Sequence, residues 1–256
     1  MVSRTFGLIG YPLSHSFSKK YFTEKFVNEG ISGCQYELFP IESVNLIVDL
    51  QQGNSQLEGL NVTIPYKVAV IPFLDELEEA AAYIGAVNCI SIQRKGGRPF
   101  LKGFNTDAYG FEESLKPLLA SSHQKALIFG NGGAAKAVKY VLQKLGIPFM
   151  VVTRTNTADS IGYEDVTAEI LQEYTILINT TPLGMAPNVN TFPAIPYQFL
   201  DHRHLCYDLV YNPEETQFLQ LSKGRGAVTK NGMEMLELQA ERSWTIWNEP
   251  LNMNNK

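Results

Sequence analysis

The sequence predicts an α/β protein in which two consecutive series of strands and helices follow one another along the chain. Three observations predict it. Short β-rich runs alternate with longer amphipathic stretches from end to end, as in proteins with a mostly parallel sheet. A polar break, Ser121-Ser122-His123-Gln124, separates one series from the next. Just after that break, a glycine-rich turn sits between a strand and a helix.

In the first series Thr5–Gly10, Tyr36–Phe39, Gly59–Thr63 and Val87–Ile92 read as strands, being short, apolar and rich in β-branched or aromatic residues. Between them Ser18–Asn28, Ser43–Gln51 and Leu74–Tyr83 carry helical spacing. Gly96-Gly97 marks a hairpin turn into Pro99–Phe104, and Asp107–Leu119 reads as a helix joining the two series. In the second series Lys125–Phe129 and Phe149–Thr153 are strands flanking helix Ala134–Leu145, which ends at Gly146. Thr175–Asn179, Cys206–Leu209 and Ala227–Val228 continue the strands. Met233–Trp247 is a final helix whose apolar face could complete either part. The predicted domains are 1–104 with 232–256, and 105–231.

Composition narrows the function classes. The 45% hydrophobic and 18% charged residues exclude a disordered chain. A net charge of −5 supplies no general positive field, so nucleic acid is not an expected partner, and an anionic ligand needs a local site. Met1–Gly10 has one basic residue and a short apolar run before Tyr11-Pro12, unlike a signal peptide. No apolar run approaches the ~20 residues that span a bilayer. The expectation is a soluble, cytoplasmic protein. Cys34, Cys89 and Cys206 lie far apart with no paired spacing, and His202 and His204 are too close to share a helical face, so no metal site is expected.

The turn Gly130-Asn131-Gly132-Gly133-Ala134-Ala135 has the G-x-G-x-x-G/A arrangement in its proper strand–turn–helix setting. Gly130 permits the tight turn, Gly132 lets backbone N–H groups approach a pyrophosphate, and Ala135 lets helix and strand pack closely. This predicts a Rossmann-type doubly wound parallel sheet that binds a dinucleotide. NAD-binding versions place an acid about 20 residues on, for the ribose 2′-hydroxyl. Here Thr153-Arg154-Thr155 stands there, and Arg154 can pair with a 2′-phosphate, so NADP is the expected cofactor. Asn179–Met185 and Tyr207–Pro213 leave later strands at the edge where ligands bind such sheets.

The first series ends its strands in polar groups. Ser14 and Ser16 could turn hydroxyls toward a carboxylate, although Ser16 or Ser18 could equally cap a helix. Lys67 follows Asn61-Val62-Thr63-Ile64-Pro65-Tyr66, where partial desolvation could fit its ammonium to shuttle a proton, although most lysines are solvated surface charges. Asn88 and Asp107 add an amide and a carboxylate near other strand ends. Asp107 could orient the ammonium, or merely cap the joining helix.

The order of these motifs, from Ser14-His15-Ser16-Phe17-Ser18 through Asn61–Lys67, Gly85–Asn88, Asn105-Thr106-Asp107, Gly130–Ala135, Arg154-Thr155 and Asn179–Met185 to Asn231–Ala240, resembles the shikimate dehydrogenase family over essentially the whole chain. The resemblance implies an N-terminal α/β substrate domain, completed by the final helix, a Rossmann NADP domain, and a cleft between them. It implies NADPH-dependent reduction of 3-dehydroshikimate to shikimate, in aromatic amino acid biosynthesis, without metal. Ser14 and Ser16 would bind the carboxylate, and Thr63, Asn88, Asp107 and Gln239 the hydroxyls. Lys67 would transfer the proton, and Tyr211 would border the substrate. Leu209 and Gly232 would lie near the nicotinamide, with Gly130, Asn131, Gly132, Gly133, Ala134, Thr153, Arg154 and Thr155 around the rest of the cofactor. Glu79 matches a position occasionally near it. Such a protein would be a monomer or homodimer. The chain departs from the family pattern at Cys89 (usually Thr), Asn131 (commonly Ala) and Thr153 (usually Asn), and lacks a second basic residue close after Arg154. Quinate dehydrogenase activity and a catalytically silent NADP-binding sensor are the alternatives.

Overall fold

The chain is described from a computed structural model over residues 3–13, 16–94 and 98–249. It divides into two compact units, Met1–Thr106 with Ala240–Lys256, and Asp107–Gln239. Ser14 and the turn Gly96-Gly97 lie outside the described residues.

The first unit holds a six-stranded sheet ordered β2-β1-β3-β5-β6-β4. Its strands are β1 (Arg4–Gly10), β2 (Cys34–Pro40), β3 (Leu57–Val62), β4 (Glu76–Leu77), β5 (Cys89–Arg94) and β6 (Pro99–Phe104). β1 runs parallel to β2 and β3, whereas β5 is antiparallel to β3 and to β6, so this sheet is mixed rather than mostly parallel. Side chains alternate across β1, and the core is accordingly double. Phe6 and Leu8 join Phe22, Phe26, Tyr36, Cys89 and Trp247 on one side, while Ile9 joins Leu57, Leu60, Val62 and Ile90 on the other. Phe22 and Phe26 come from α1 (Phe17–Asn28), and Trp247 from the second half of α9 (Met233–Asn248). Trp247 stacks on Phe6 with ring centroids 4.8 Å apart and donates its indole N–H to the Ile90 carbonyl (3.0 Å).

The second unit carries six strands, all parallel, ordered β12-β11-β10-β7-β8-β9. They are β7 (Ala126–Phe129), β8 (Phe149–Thr153), β9 (Ile161–Gly162), β10 (Ile176–Asn179), β11 (Leu205–Asp208) and β12 (Val228–Lys230). Counted within the unit this is the doubly wound order 3-2-1-4-5-6 read from its far edge, and the winding reverses between β7 and β10. β7, β10 and β11 are wholly buried, as expected of parallel strands covered on both faces.

Several expectations are corrected. Leu74–Tyr83 is not one helix: Glu76 and Leu77 pair with Lys102 and Gly103 of β6, and only Glu79–Ile84 (α4) is helical. The Asp75 carboxylate accepts the Leu101 N–H (2.9 Å), so ladder pairing overrides the local helical spacing. Ser43–Gln51 opens as a 3₁₀ turn, Val44–Leu46, before α2 (Ile47–Gly53). The joining helix α5 is Thr106–Leu115, which puts Asp107 in its first turn rather than at its cap. The units divide within α5 and within α9.

Candidate functional site

In the second unit the glycine turn leaves β7 at the point where the winding reverses. Gly130 has φ 98°, and a Cβ there would stand 2.7 Å from the Thr181 methyl, so only glycine fits. Gly132 is the N-cap of α6 (Gly133–Lys144) and gives the helix no side-chain cap. The first N–H groups of this three-turn helix therefore face an open approach, and a Cβ on Gly132 or Gly133 would meet nothing within 4 Å. Ala135 is fully buried where the helix meets the sheet.

Beside this turn lies a cavity of about 410 Å³, lined by Gly130, Asn131, Gly132, Thr153, Arg154, Tyr163 and the run Thr180–Leu183. Among these lining residues Arg154 is the one cation and none is acidic. The Thr153 hydroxyl donates to the Thr155 carbonyl (2.7 Å) and shares a hydrogen bond with Ser160, which fixes the bend from which Arg154 projects. Burial pushes the Tyr163 phenol up, with Arg154 acting against it. Open backbone donors, a lone guanidinium and an apolar wall fit a dinucleotide with an extra phosphate.

The loops after β10 and β11 are tied together. Asp208, fully buried at the end of β11, accepts from Asn179 Nδ2 (2.9 Å), the Val210 N–H (3.0 Å) and the Thr216 hydroxyl (2.6 Å). Burial pushes its carboxyl up to about 6, against those three donors. Leu209 and Gly232 are neighbours: a Cβ on Gly232 would collide with the Leu209 carbonyl, and the Gly232 N–H donates to Val210 O (3.2 Å). Gln239 of α9 lies against α5, where Gly110 leaves room for the Met235 carbonyl and the Gln239 backbone. Asp107 and Gln239 thus occupy adjoining helices.

In the first unit the register gathers strand ends at one edge. Asn61 pairs with Cys89, and Cys89 with Phe104, so the exit of β3, the entry to β5 and the exit of β6 lie side by side. Thr63 leaves β3, its N–H on Ile9 O (3.0 Å), and Lys67 sits half-buried in α3 (Tyr66–Ala69), its carbonyl accepting the Val87 N–H (2.7 Å). Tyr66 anchors this helix by donating its hydroxyl to Ile41 O (2.6 Å). Asn88 is buried, and its Oδ1 accepts the Thr106 N–H (2.6 Å). Ser16 caps α1, accepting the Lys19 N–H (3.3 Å). Cys89 packs in the aromatic core behind this edge, and burial pushes its thiol up to about 12, so it is a small apolar filler.

Gly133, Ala134, Thr155, Leu209 and Gly232 do not line the cavity, and neither does Glu79, exposed in the first turn of α4. Tyr211 is partly exposed beyond β11. Sequence reasoning missed Tyr163, which follows the two-residue β9 and stacks on Phe129 (6.0 Å). It also missed the Asp208 network, although Asp208 stood in a loop already singled out. Among the described residues no group of three His, Cys, Asp or Glu could hold a metal ion.

Residues 8–90 match the family described as the shikimate dehydrogenase substrate binding domain. The chain is 38% identical to the NADP(+)-dependent shikimate dehydrogenase of Carboxydothermus hydrogenoformans, over 98% of this chain and 94% of that one. The crystal structure of shikimate dehydrogenase from Thermus thermophilus, in complex with NADP(H) and shikimate, is 30% identical and superposes with a TM-score of 0.81, covering 97% of this chain and 94% of that one. Quinate dehydrogenase from Corynebacterium glutamicum, in complex with NAD, superposes with a TM-score of 0.84 at 25% identity, covering 96% and 94%.

Proposed function

The chain belongs to the shikimate dehydrogenase family, and from that membership we propose that it catalyses the reversible reduction of 3-dehydroshikimate to shikimate with NADPH, a step of aromatic amino acid biosynthesis. The observation that carries the choice of cofactor is the cavity at the winding reversal, where Arg154 stands and no carboxylate does. Bound there, NADPH supplies the hydride that the ketone carbon accepts.

The chain's own residues supply the remainder. The first-turn N–H groups of α6 receive the pyrophosphate, and Arg154 pairs with the 2′-phosphate. Thr63 and Asn88 hold substrate hydroxyls at the strand-end edge, with Ser14 and Ser16 on the carboxylate. Lys67 gives a proton to the carbonyl oxygen as it becomes a hydroxyl, and takes it back in the oxidative direction. Its ammonium also stabilises the negative charge that develops on that oxygen. Asp107, three residues beyond the end of β6, is the second catalytic group and accepts from a substrate hydroxyl. Tyr211 and Gln239 complete the substrate contacts, and Leu209 and Gly232 the nicotinamide side. The enzyme acts in the cytoplasm as a monomer or homodimer. Among the described residues no helix is long and apolar enough to cross a membrane.

The test pairs shikimate or quinate with NADP+ or NAD+ and follows formation of the reduced nicotinamide. The highest kcat/KM is expected for shikimate with NADP+. A preference for quinate with NAD+ would assign the chain to the other activity. NADPH binding without turnover of either alcohol would make it a sensor.

A further inference from the structure

Asp208 has no part in the chemistry above, yet it is the one wholly buried carboxylate among the described residues. It stands at the end of β11, directly across the register from Asn179 at the end of β10. Three donors converge on it from three places: the amide side chain of the neighbouring strand, the backbone of its own loop, and the hydroxyl of Thr216 that caps α8 (Gln217–Lys223).

Asn179 carries the connection onward. Its Nδ2 also donates to Leu183 O (3.2 Å), while its Oδ1 accepts from the Thr181 N–H (3.1 Å) and hydroxyl (2.6 Å). Thr181 is the residue whose methyl stands against Gly130, and Thr180 donates its N–H and hydroxyl to Phe129 O (3.0 and 2.8 Å). Thr180 to Leu183 form the cavity wall facing the glycine turn. We propose that Asp208 is a positioning residue for the cofactor, its carboxylate clamping the loop after β10 to the loop after β11 and so fixing that wall.

A carboxylate suits this junction: one oxygen accepts from Asn179 and Val210 and the other from the Thr216 hydroxyl, whereas asparagine would meet Thr216 only with that hydroxyl turned round to accept. Holding an ion out of water is costly, so a buried carboxylate with only a packing role would be better replaced by an uncharged group of the same shape. The proposal rests on the reading that this cavity takes NADPH.

The test is calorimetric titration of NADPH onto the full chain and onto Asp208→Asn, with steady-state kinetics and a melting curve for each. The variant is expected to bind NADPH about tenfold more weakly, with kcat at saturating NADP+ within about threefold of the parent, because the reacting groups are untouched. A merely structural role would instead lower kcat through loss of folded enzyme and leave the KM for NADP+ in place, and that result would overturn the clamp. If Asp208→Asn shows no cooperative melt, Thr216→Val decides. It keeps the carboxylate but removes the Thr216 donor and, with it, the α8 cap, so it is compared at equal folded fraction by its melting curve, with about threefold weaker binding expected and unchanged binding overturning the proposal. Failure of the parent chain to bind NADPH would overturn the cofactor reading and the clamp together, whereas tight binding by both parent and Asp208→Asn would overturn the clamp alone.

Discussion

The unit formed by residues 107–239 offers at its cavity a glycine turn, Gly130 and Gly132, a single cation, Arg154, and a wall, Thr180–Leu183, held from behind by Asn179 and Asp208. The unit formed by 1–106 and 240–256 furnishes its edge with side chains: Thr63, Lys67 and Asn88 on three different segments brought together by strand register. The difference decides what each part tolerates. Backbone recognition depends on main-chain conformation and on absent Cβ atoms, so a side chain whose polar end is engaged elsewhere can vary, as that of Asn131 is by Lys139. Side-chain recognition has no such slack, because in the proposed site each group has its own role.

Substitutions can break or sharpen that contrast. The largest effect is expected at Lys67. Lys67→Ala should lower kcat by about 10²–10⁴ with much less change in KM, as for loss of an acid–base group. Near-parental turnover would show that the edge of the first unit does not supply the proton. Next comes Arg154→Ala, the one cavity contact that relies on a charged side chain. The KM for NADP+ should rise about tenfold or more while that for NAD+ moves little. Equal small changes in both would make Arg154 a surface charge and the cavity purely a backbone site. The smallest effect is expected at Asn131, whose Oδ1 is held by Lys139 (2.6 Å). Asn131→Ala should keep the KM for NADP+ within about threefold, since it removes no backbone donor. A tenfold rise would mean that this turn, too, binds through a side chain.

The same contrast explains what could be read from the sequence. The dinucleotide turn was legible because a backbone site constrains consecutive residues, so Gly130, Gly132 and Ala135 appear as a local pattern between a strand and a helix. The substrate edge was legible only as isolated candidates. Lys67 and Asn88 are 21 positions apart, and the segments that carry them are joined by the Val87 N–H on the Lys67 carbonyl beside the antiparallel β3–β5 pair, which no local spacing encodes. Glu76-Leu77 was misread as helix because a two-residue strand has no period of its own and exists only through β6. β9 escaped for the same reason, and Tyr163 with it. The role of Asp208 lay in pairings 8 and 29 residues distant, visible only once the strands are side by side.

The division of α9 bears on how the protein is made. Phe6, Phe22, Phe26 and Tyr36 belong to a segment that leaves the ribosome early, yet the indoles that cover them, Trp244 and Trp247, follow only after the whole of 107–239 has been translated. The nucleotide-binding unit is continuous in the chain and can close its sheet as soon as it emerges, whereas its companion must wait with an open aromatic face. Nascent chains stalled before residue 240 should therefore be the ones that engage chaperones. Truncating the buried Trp247 removes a lid whose loss costs about 3–5 kcal/mol, a large share of what a domain has to spare, and truncating the half-buried Trp244 costs less.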